Sequence, residues 1–273
     1  MSIFNLFLAG IVAIALAVVG FVWAFQNYGI YTFPVASLDK PIVVSEGVEA
    51  VQFRSGDGTM IGARVIQPAP GRPLIFSFYG NGADVDESLL RLSGLTAKGY
   101  GIAMMEYRGA GATPGKSSEE SFARDALAFY DAMDGLIGKE FPASERVLHG
   151  FSLGSGVGSR LAVSRPFAAV VFEAAPYRTC LYYQDRYKGF PFCSLMWAER
   201  YDIVDYVKQI EAPKLFIHGK LDEALPVERA RRLFEEAPQP KEYLEVAEGH
   251  HADLDRFGLA EAIDNFLSRN VDP

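Results

Sequence analysis

The hydrophobic pattern divides the chain into two unlike parts. Leu6 to Phe25 is a run of twenty residues without a charge or a strongly hydrogen-bonding side chain. Wound as a helix, it would be ~30 Å long, about the hydrocarbon thickness of a bilayer. Trp23, Tyr28 and Tyr31 gather at its C-terminal end, where amphipathic rings suit the headgroup region. Beyond it the apolar segments become short and regularly spaced. Glu49–Phe53 and Ile61–Gln67 flank a Ser55-Gly56-Asp57-Gly58 turn and predict a hairpin. Runs at Leu74–Tyr79, Tyr100–Met105, Arg146–Phe151, Ala168–Phe172 and Lys214–His218 read as strands, with Glu242–Val246 as the last. Ser88–Lys98, Ser121–Ile137, Gly154–Ser164 and Val227–Ala237 carry helical spacing between them, and Leu259–Leu267 gives a closing helix. The alternation predicts an α/β fold: a mostly parallel central sheet with helices on both faces and an antiparallel hairpin at one edge.

One stretch breaks the rhythm. Tyr177 to Tyr206 holds Tyr182, Tyr183, Tyr187, Phe190, Phe192, Trp197 and Tyr201 but no strand pattern. A structureless loop of that length fits a compact domain poorly, so a small cap insertion is expected. It would form its own small core or a substrate-facing acyl pocket. The expected organisation is an N-terminal membrane anchor over residues 1–28, a linker over 29–42, and one domain over 43–273 with the cap at about 177–206.

Two other readings of the apolar run are weaker. A cleaved signal peptide would carry Lys or Arg before a shorter apolar stretch, and Met1 to Asn5 has neither, although Val22-Trp23-Ala24 is a weak match to a cleavage site. A buried core helix would show a polar face. A single-pass anchor is therefore expected, with the side of the catalytic domain open. Lys40 weakly favours the cytoplasm. A bridge between the only two cysteines, Cys180 and Cys193, would favour the opposite side, and two free thiols would not.

Composition narrows the function. With 49% hydrophobic residues among 273, a sizeable core is available. The net charge of -8 excludes a general nucleic-acid binder, which needs a basic surface. Two distant cysteines do not make a zinc site.

The candidate chemistry begins at Gly150-Phe151-Ser152-Leu153-Gly154, a G-x-S-x-G between an apolar strand and a helical pattern. A sharp strand-to-helix turn there would expose the serine hydroxyl, and small flanking residues would let backbone come close. The strand Lys214–His218 runs on to Asp222 and Pro226, and Glu242–Val246 runs on to Gly249-His250-His251. That is the nucleophile, acid, histidine order of an α/β-hydrolase. Of the four histidines, His149 and His218 lie in strands and read as structural, which leaves His250 and His251.

From about Val43 onward the chain resembles the α/β-hydrolase family, and within it the serine-aminopeptidase-like, membrane-anchored branch. Tyr79-Gly80-Asn81-Gly82 looks like the branch's His-Gly-Asn-Ala/Gly oxyanion loop, and Glu106-Tyr107-Arg108-Gly109-Ala110-Gly111 like its Asp-Tyr-Arg-Gly-x-Gly turn. Tyr79 replaces the usual histidine and Glu106 the usual aspartate, which implies altered loop packing rather than lost chemistry. The resemblance implies Ser152 as nucleophile, Asp222 as acid and His250 as base, with His251 as the alternative. Backbone N–H groups of Asn81 and Leu153 would form the oxyanion hole. His250 is preferred because it directly follows Gly249, as the family's histidine does. Glu173, at a strand end, is a competing acid. Asp84 and Asp86 read as solvated loop residues, and the Tyr107–Gly111 turn as architectural.

The expected reaction is hydrolysis of an ester, thioester or amide through an acyl-enzyme, without metal or cofactor. A carboxylesterase or lipase-like activity on a lipophilic acyl substrate ranks first, with an aminopeptidase-like serine peptidase as the alternative. A non-catalytic membrane-tethered scaffold on the same fold would leave an intact serine, acid and histidine unused. Gly154-Ser155-Gly156-Val157-Gly158 imitates a dinucleotide-binding turn, but Ser159 stands where glycine or alanine is needed.

Overall fold

A computed structural model describes residues 2–34 and 47–271. Most of the expected linker, with Lys40 and the domain start at Val43, lies outside the described residues. The apolar run forms α1 (Ile3–Ala24), capped by the Ser2 hydroxyl accepting from Asn5 N–H, and continues through a π-helical turn over Phe25–Gly29. This helix, Ile3–Gly29, is long and apolar enough to cross a membrane.

Eight strands build one sheet: β1 (Glu49–Arg54), β2 (Met60–Ile66), β3 (Leu74–Phe78), β4 (Gly101–Met105), β5 (Arg146–Phe151), β6 (Ala169–Glu173), β7 (Lys214–Gly219) and β8 (Lys241–Val246). Their order is β1-β2-β4-β3-β5-β6-β7-β8. The β1–β2 and β2–β4 pairs are antiparallel and all the others parallel, so the hairpin sits at one edge as its turn signal implies. Every residue of β3 to β7 is buried, which explains why these strands read as continuous apolar runs rather than alternating ones.

The helices around the sheet are α2 (Val85–Arg91), α3 (Ser93–Thr96), α4 (Glu119–Ile137), α5 (Leu153–Ser164), α6 (Thr179–Arg186), α7 (Phe192–Leu195), α8 (Ile203–Val207), α9 (Val227–Glu236) and α10 (Leu259–Asn270). Helix α4 starts two residues before the expected Ser121, because Ser118 and Ser121 cap each other reciprocally and so stabilise an earlier first turn. The expected helix Ser88–Lys98 is instead α2 and α3, which part at Leu92. Helix α2 begins early because the Asp84 carboxylate accepts from the amides of Asp86 and Glu87. Asp86 pairs with Arg64 at 2.7 Å. Both aspartates are thus structural rather than solvated loop residues.

The stretch expected as a cap forms α6, α7 and α8. Cys180 and Cys193 are joined by a disulfide. Around it lies a small apolar cluster of Ile30, Cys180, Tyr183, Phe192 and Met196. Ile30 belongs to the stem that follows α1, so that stem and the cap segment share one core. Val22, Gln26 and Ile30 are the buried positions on that stem, spaced as one face of a helix. The Phe25 ring lies 4.8 Å from Tyr183 and 5.0 Å from Phe192. The Gln26 side-chain oxygen accepts from Trp197 N–H at 2.9 Å and Ala198 N–H at 2.7 Å. Tyr31 donates its hydroxyl to Glu199 and lies 2.8 Å from the Tyr201 hydroxyl.

Candidate active site

Strand β5 ends at Phe151 and α5 begins at Leu153, which leaves Ser152 alone in the turn at φ 51°, ψ -118°. That conformation costs a non-glycine residue about 1–3 kcal/mol. It is held by Ser152 N–H donating to the Glu173 carbonyl at 2.9 Å and by the Ser155 hydroxyl donating to the Gly150 carbonyl at 2.8 Å. The turn has no room for side chains beside it. A Cβ on Gly154 would strike the Phe78 carbonyl, and one on Gly150 would lie 2.6 Å from the Ser155 Cα.

His251 Nε2 lies 3.0 Å from Ser152 Oγ, and His251 Nδ1 lies 2.7 Å from Asp222 Oδ2. A carboxylate can only accept, so Nδ1 carries the proton in the neutral ring and Nε2 is left to accept from the serine. Asp222 follows β7 and its side chain is fully buried. Its Oδ1 accepts from the amides of Ala224 at 2.8 Å and Leu225 at 2.7 Å, and His218 Nε2 lies 3.3 Å from Oδ2. Burial opposes ionisation, but hydrogen bonds from His218, His251 and the Leu225 amide outweigh it and hold this carboxyl well below the usual range. Asp222 is therefore an anion wherever the fold is intact at neutral pH.

His250 does not join this chain. Its Nδ1 lies 2.6 Å from Glu223 Oε1 on the surface, and its amide donates to Asp253. The cause is in the backbone. The Gly249 carbonyl accepts from Leu221 N–H at 2.9 Å, which pins the β8 loop against the β7 loop. The next two side chains then leave in different directions, His250 outward and His251 toward Asp222. The expected preference for His250 is corrected to His251.

Glu173, the competing acid, is also placed elsewhere. Its buried carboxylate meets His149 Nε2 at 3.0 Å and Arg91 Nη2 at 2.6 Å, and His149 Nδ1 lies 2.9 Å from the Ser77 hydroxyl. Burial resists its charge, but the partners His149 and Arg91 lower its proton affinity below the ordinary carboxylate value. The Arg91 guanidinium also lies 4.3 Å from the Phe151 ring centroid. This network braces the strand ends beside Ser152. Arg91 carried no motif and was not singled out from the sequence.

Asn81 and Leu153 line a cavity of about 260 Å³ together with Ser152 and His251. Leu153 is the first residue of α5, so its N–H has no partner within the helix. A Cβ on Gly80 would lie 3.4 Å from the Ser152 Cβ, so the loop bearing Asn81 passes close to Ser152. The Asn81 side chain is clasped by the stem: Nδ2 donates to the Ile30 carbonyl at 2.7 Å and Oδ1 accepts from Thr32 N–H at 3.2 Å. Ile30 and Thr32 themselves line the cavity, with Pro176, Tyr182, Tyr183 and Leu225. Neither stem residue was legible as a site residue.

No family model matches the chain. An uncharacterised protein of Mycobacterium tuberculosis is 29% identical over 264 residues, covering 94% of this chain and 92% of that one. The alpha/beta hydrolase domain-containing protein 17C of Xenopus laevis is 26% identical over 232 residues, covering 83% of this chain and 71% of the relative. The chain has the α/β-hydrolase fold. Among solved structures, the esterase Pf2001 of Pyrococcus furiosus superposes on this chain with a TM-score of 0.69 at 17% identity, over 89% of this chain and 98% of that one.

The two departures from the α/β-hydrolase motifs are absorbed by packing. Tyr79 and Tyr107 are buried against each other with ring centroids 4.3 Å apart. Tyr107 N–H donates to the Tyr79 hydroxyl and the Tyr107 hydroxyl to the Tyr79 carbonyl, each at 3.0 Å. This reciprocal pair fixes the start of the Asn81 loop. Glu106 is buried and accepts from the Thr113 hydroxyl. Arg108 clamps the turn to α4 through Asp125 at 2.6 Å, and to the β1–β2 turn through Asp57 at 2.6 Å.

Proposed function

We propose that this α/β-hydrolase is a serine hydrolase that cleaves an ester, thioester or amide through an acyl-enzyme on Ser152. The observation that carries the reading is His251 standing between Ser152 Oγ and Asp222 within hydrogen-bonding reach of both. Ser152 Oγ attacks the acyl carbonyl carbon while its proton passes to His251 Nε2. Asp222 stabilises the imidazolium and keeps the ring oriented. The backbone N–H groups of Leu153 and Asn81 serve as oxyanion donors, each worth ~3–4 kcal/mol in comparable sites. When the bond to the leaving group breaks, His251 returns the proton to it. A water then attacks the acyl-enzyme, giving one proton to His251, and the Ser152 oxygen leaves and takes that proton back.

A carboxylesterase or lipase-like activity is favoured. Ile30, Pro176, Tyr182, Tyr183 and Leu225 give the cavity largely apolar walls suited to an acyl chain. Helix α1 serves as a retained membrane anchor, because the stem behind it is built into both the cap core and the cavity wall. The Cys180–Cys193 bridge favours a catalytic domain on the oxidising side of that membrane. Fluorophosphonate labelling of the wild type and Ser152→Ala tests the nucleophile: labelling should vanish in the variant, and labelling that persists would refute the assignment. Turnover of p-nitrophenyl esters against aminoacyl anilides separates the esterase reading from a peptidase, and non-reducing mass spectrometry tests the bridge.

A further inference from the structure

We propose that the tip of the cap is a bilayer-docking surface, so that the mouth of the cavity lies at the lipid headgroups. The proposal rests on α1 being a membrane span and goes beyond the proposed reaction. Three observations carry it. First, the Phe190 ring of the cap packs edge-on against Phe21, with centroids 5.4 Å apart. Phe21 lies four residues inside the end of the apolar run at Phe25, and at 1.5 Å rise per residue that is ~6 Å of helix. If that run fills the ~30 Å hydrocarbon layer, the cap at Phe190 reaches its edge. The helix cannot be inserted while the cap stands clear of the lipid.

Second, the attachment is fixed rather than a chance touch. Gln26 holds the backbone of Trp197 and Ala198, and the Phe25 ring is wedged against Tyr183 and Phe192. The cap therefore rides at the level set by α1. Third, the exposed side chains at this level are those that favour the interface. Trp23, Tyr28, Tyr187 and Trp197 are each at least half exposed, and amphipathic rings concentrate where hydrocarbon meets headgroup. Ile30, on the cavity wall, is only four residues beyond Gln26, so a substrate held in the bilayer could present its acyl carbonyl to Ser152 without crossing water.

The chain has two tryptophans, Trp23 and Trp197, which makes a direct test possible. Full-length Trp23→Phe and Trp197→Phe proteins are reconstituted into liposomes of phosphatidylcholine brominated near its carbonyls, and tryptophan emission is compared with that in unbrominated lipid. The proposal expects Trp197 emission to be quenched to an extent comparable with Trp23. The wild-type signal minus that of Trp197→Phe gives the same quantity if the Trp23→Phe protein folds poorly. Quenching of Trp23 without quenching of Trp197 would overturn the docking surface and leave the anchor standing. No quenching of either would overturn both. Trp197 shielded from aqueous acrylamide but untouched by bromine would assign the surface to a protein partner and also overturn the proposal. Fluorophosphonate labelling of the same liposomes reads the hydrolase reaction separately.

Discussion

In the proposed reaction the clasp between Asn81 and the stem after α1 would position the oxyanion loop, and Asn81→Ala tests it. The substitution keeps the backbone N–H proposed as an oxyanion donor and removes only the side-chain amide. Two hydrogen bonds are lost: the part-buried one to the Ile30 carbonyl at 2.7 Å and the exposed one from Thr32 N–H at 3.2 Å. A net value of about 1 kcal/mol for the first and about half that for the second gives ~1.5 kcal/mol. Expressed wholly as a misplaced oxyanion donor, this lowers kcat about tenfold and leaves KM nearly unchanged. Asn81→Asp keeps the acceptor for Thr32 but sets a carboxylate oxygen against the Ile30 carbonyl with no donor between them, so its loss should be at least as large. The assay is steady-state hydrolysis of a p-nitrophenyl ester by full-length protein in detergent or liposomes. A kcat within twofold of wild type for Asn81→Ala, or a loss confined to KM, would refute the positioning role.

Three further outcomes follow from the same geometry. Asp222→Asn should lower kcat by about four orders of magnitude in the ester assay, because an amide at this position favours the wrong His251 tautomer; a loss of less than about tenfold would contradict the role of Asp222. The Cys180–Cys193 bridge closes a loop with a sequence separation of 13, worth ~3 kcal/mol by loop entropy. The Cys180→Ser, Cys193→Ser double variant should therefore lose thermal stability and weaken the cavity wall at Tyr183; an unchanged melting midpoint would contradict this. Burial pushes the Glu199 carboxyl above the usual carboxylate range. A raised folded-state value means its contribution is fully present below the unfolded Glu pKa of about 4.3 and is lost as pH rises through the folded value. The stability advantage of wild type over Glu199→Gln should thus shrink from mildly acidic to neutral pH in thermal melts, and an advantage that grows with pH would be the wrong sign.

Much of the scaffold was legible because one physical cause dominates it. Strands β3 to β7 are buried on both faces, so their apolar runs stand out against the helical spacing between them, and the bounds of β5 were read to the residue. Ser152 was legible for a local reason, since the tight turn demands glycine at both ends of a five-residue motif. The choice between His250 and His251 was not, because it depends on the Leu221–Gly249 backbone bond between two loops that are distant in sequence. Glu173 looked like an acid at a strand end, and only the packing of Arg91 and His149 shows where its charge goes. The stem residues Ile30 and Thr32 carry no motif. Their place on the cavity wall comes from a helix end, a cap and a loop meeting in space.

The central claim is that Ser152 is activated by His251 and by no other histidine. Its most direct test is the second-order rate of fluorophosphonate labelling of Ser152 in His251→Ala and His250→Ala proteins, with the adduct located by mass spectrometry. The account predicts a fall of about 10³-fold or more for His251→Ala and near-wild-type labelling for His250→Ala. Rapid labelling of Ser152 without His251, or its loss on removing His250 alone, would contradict it.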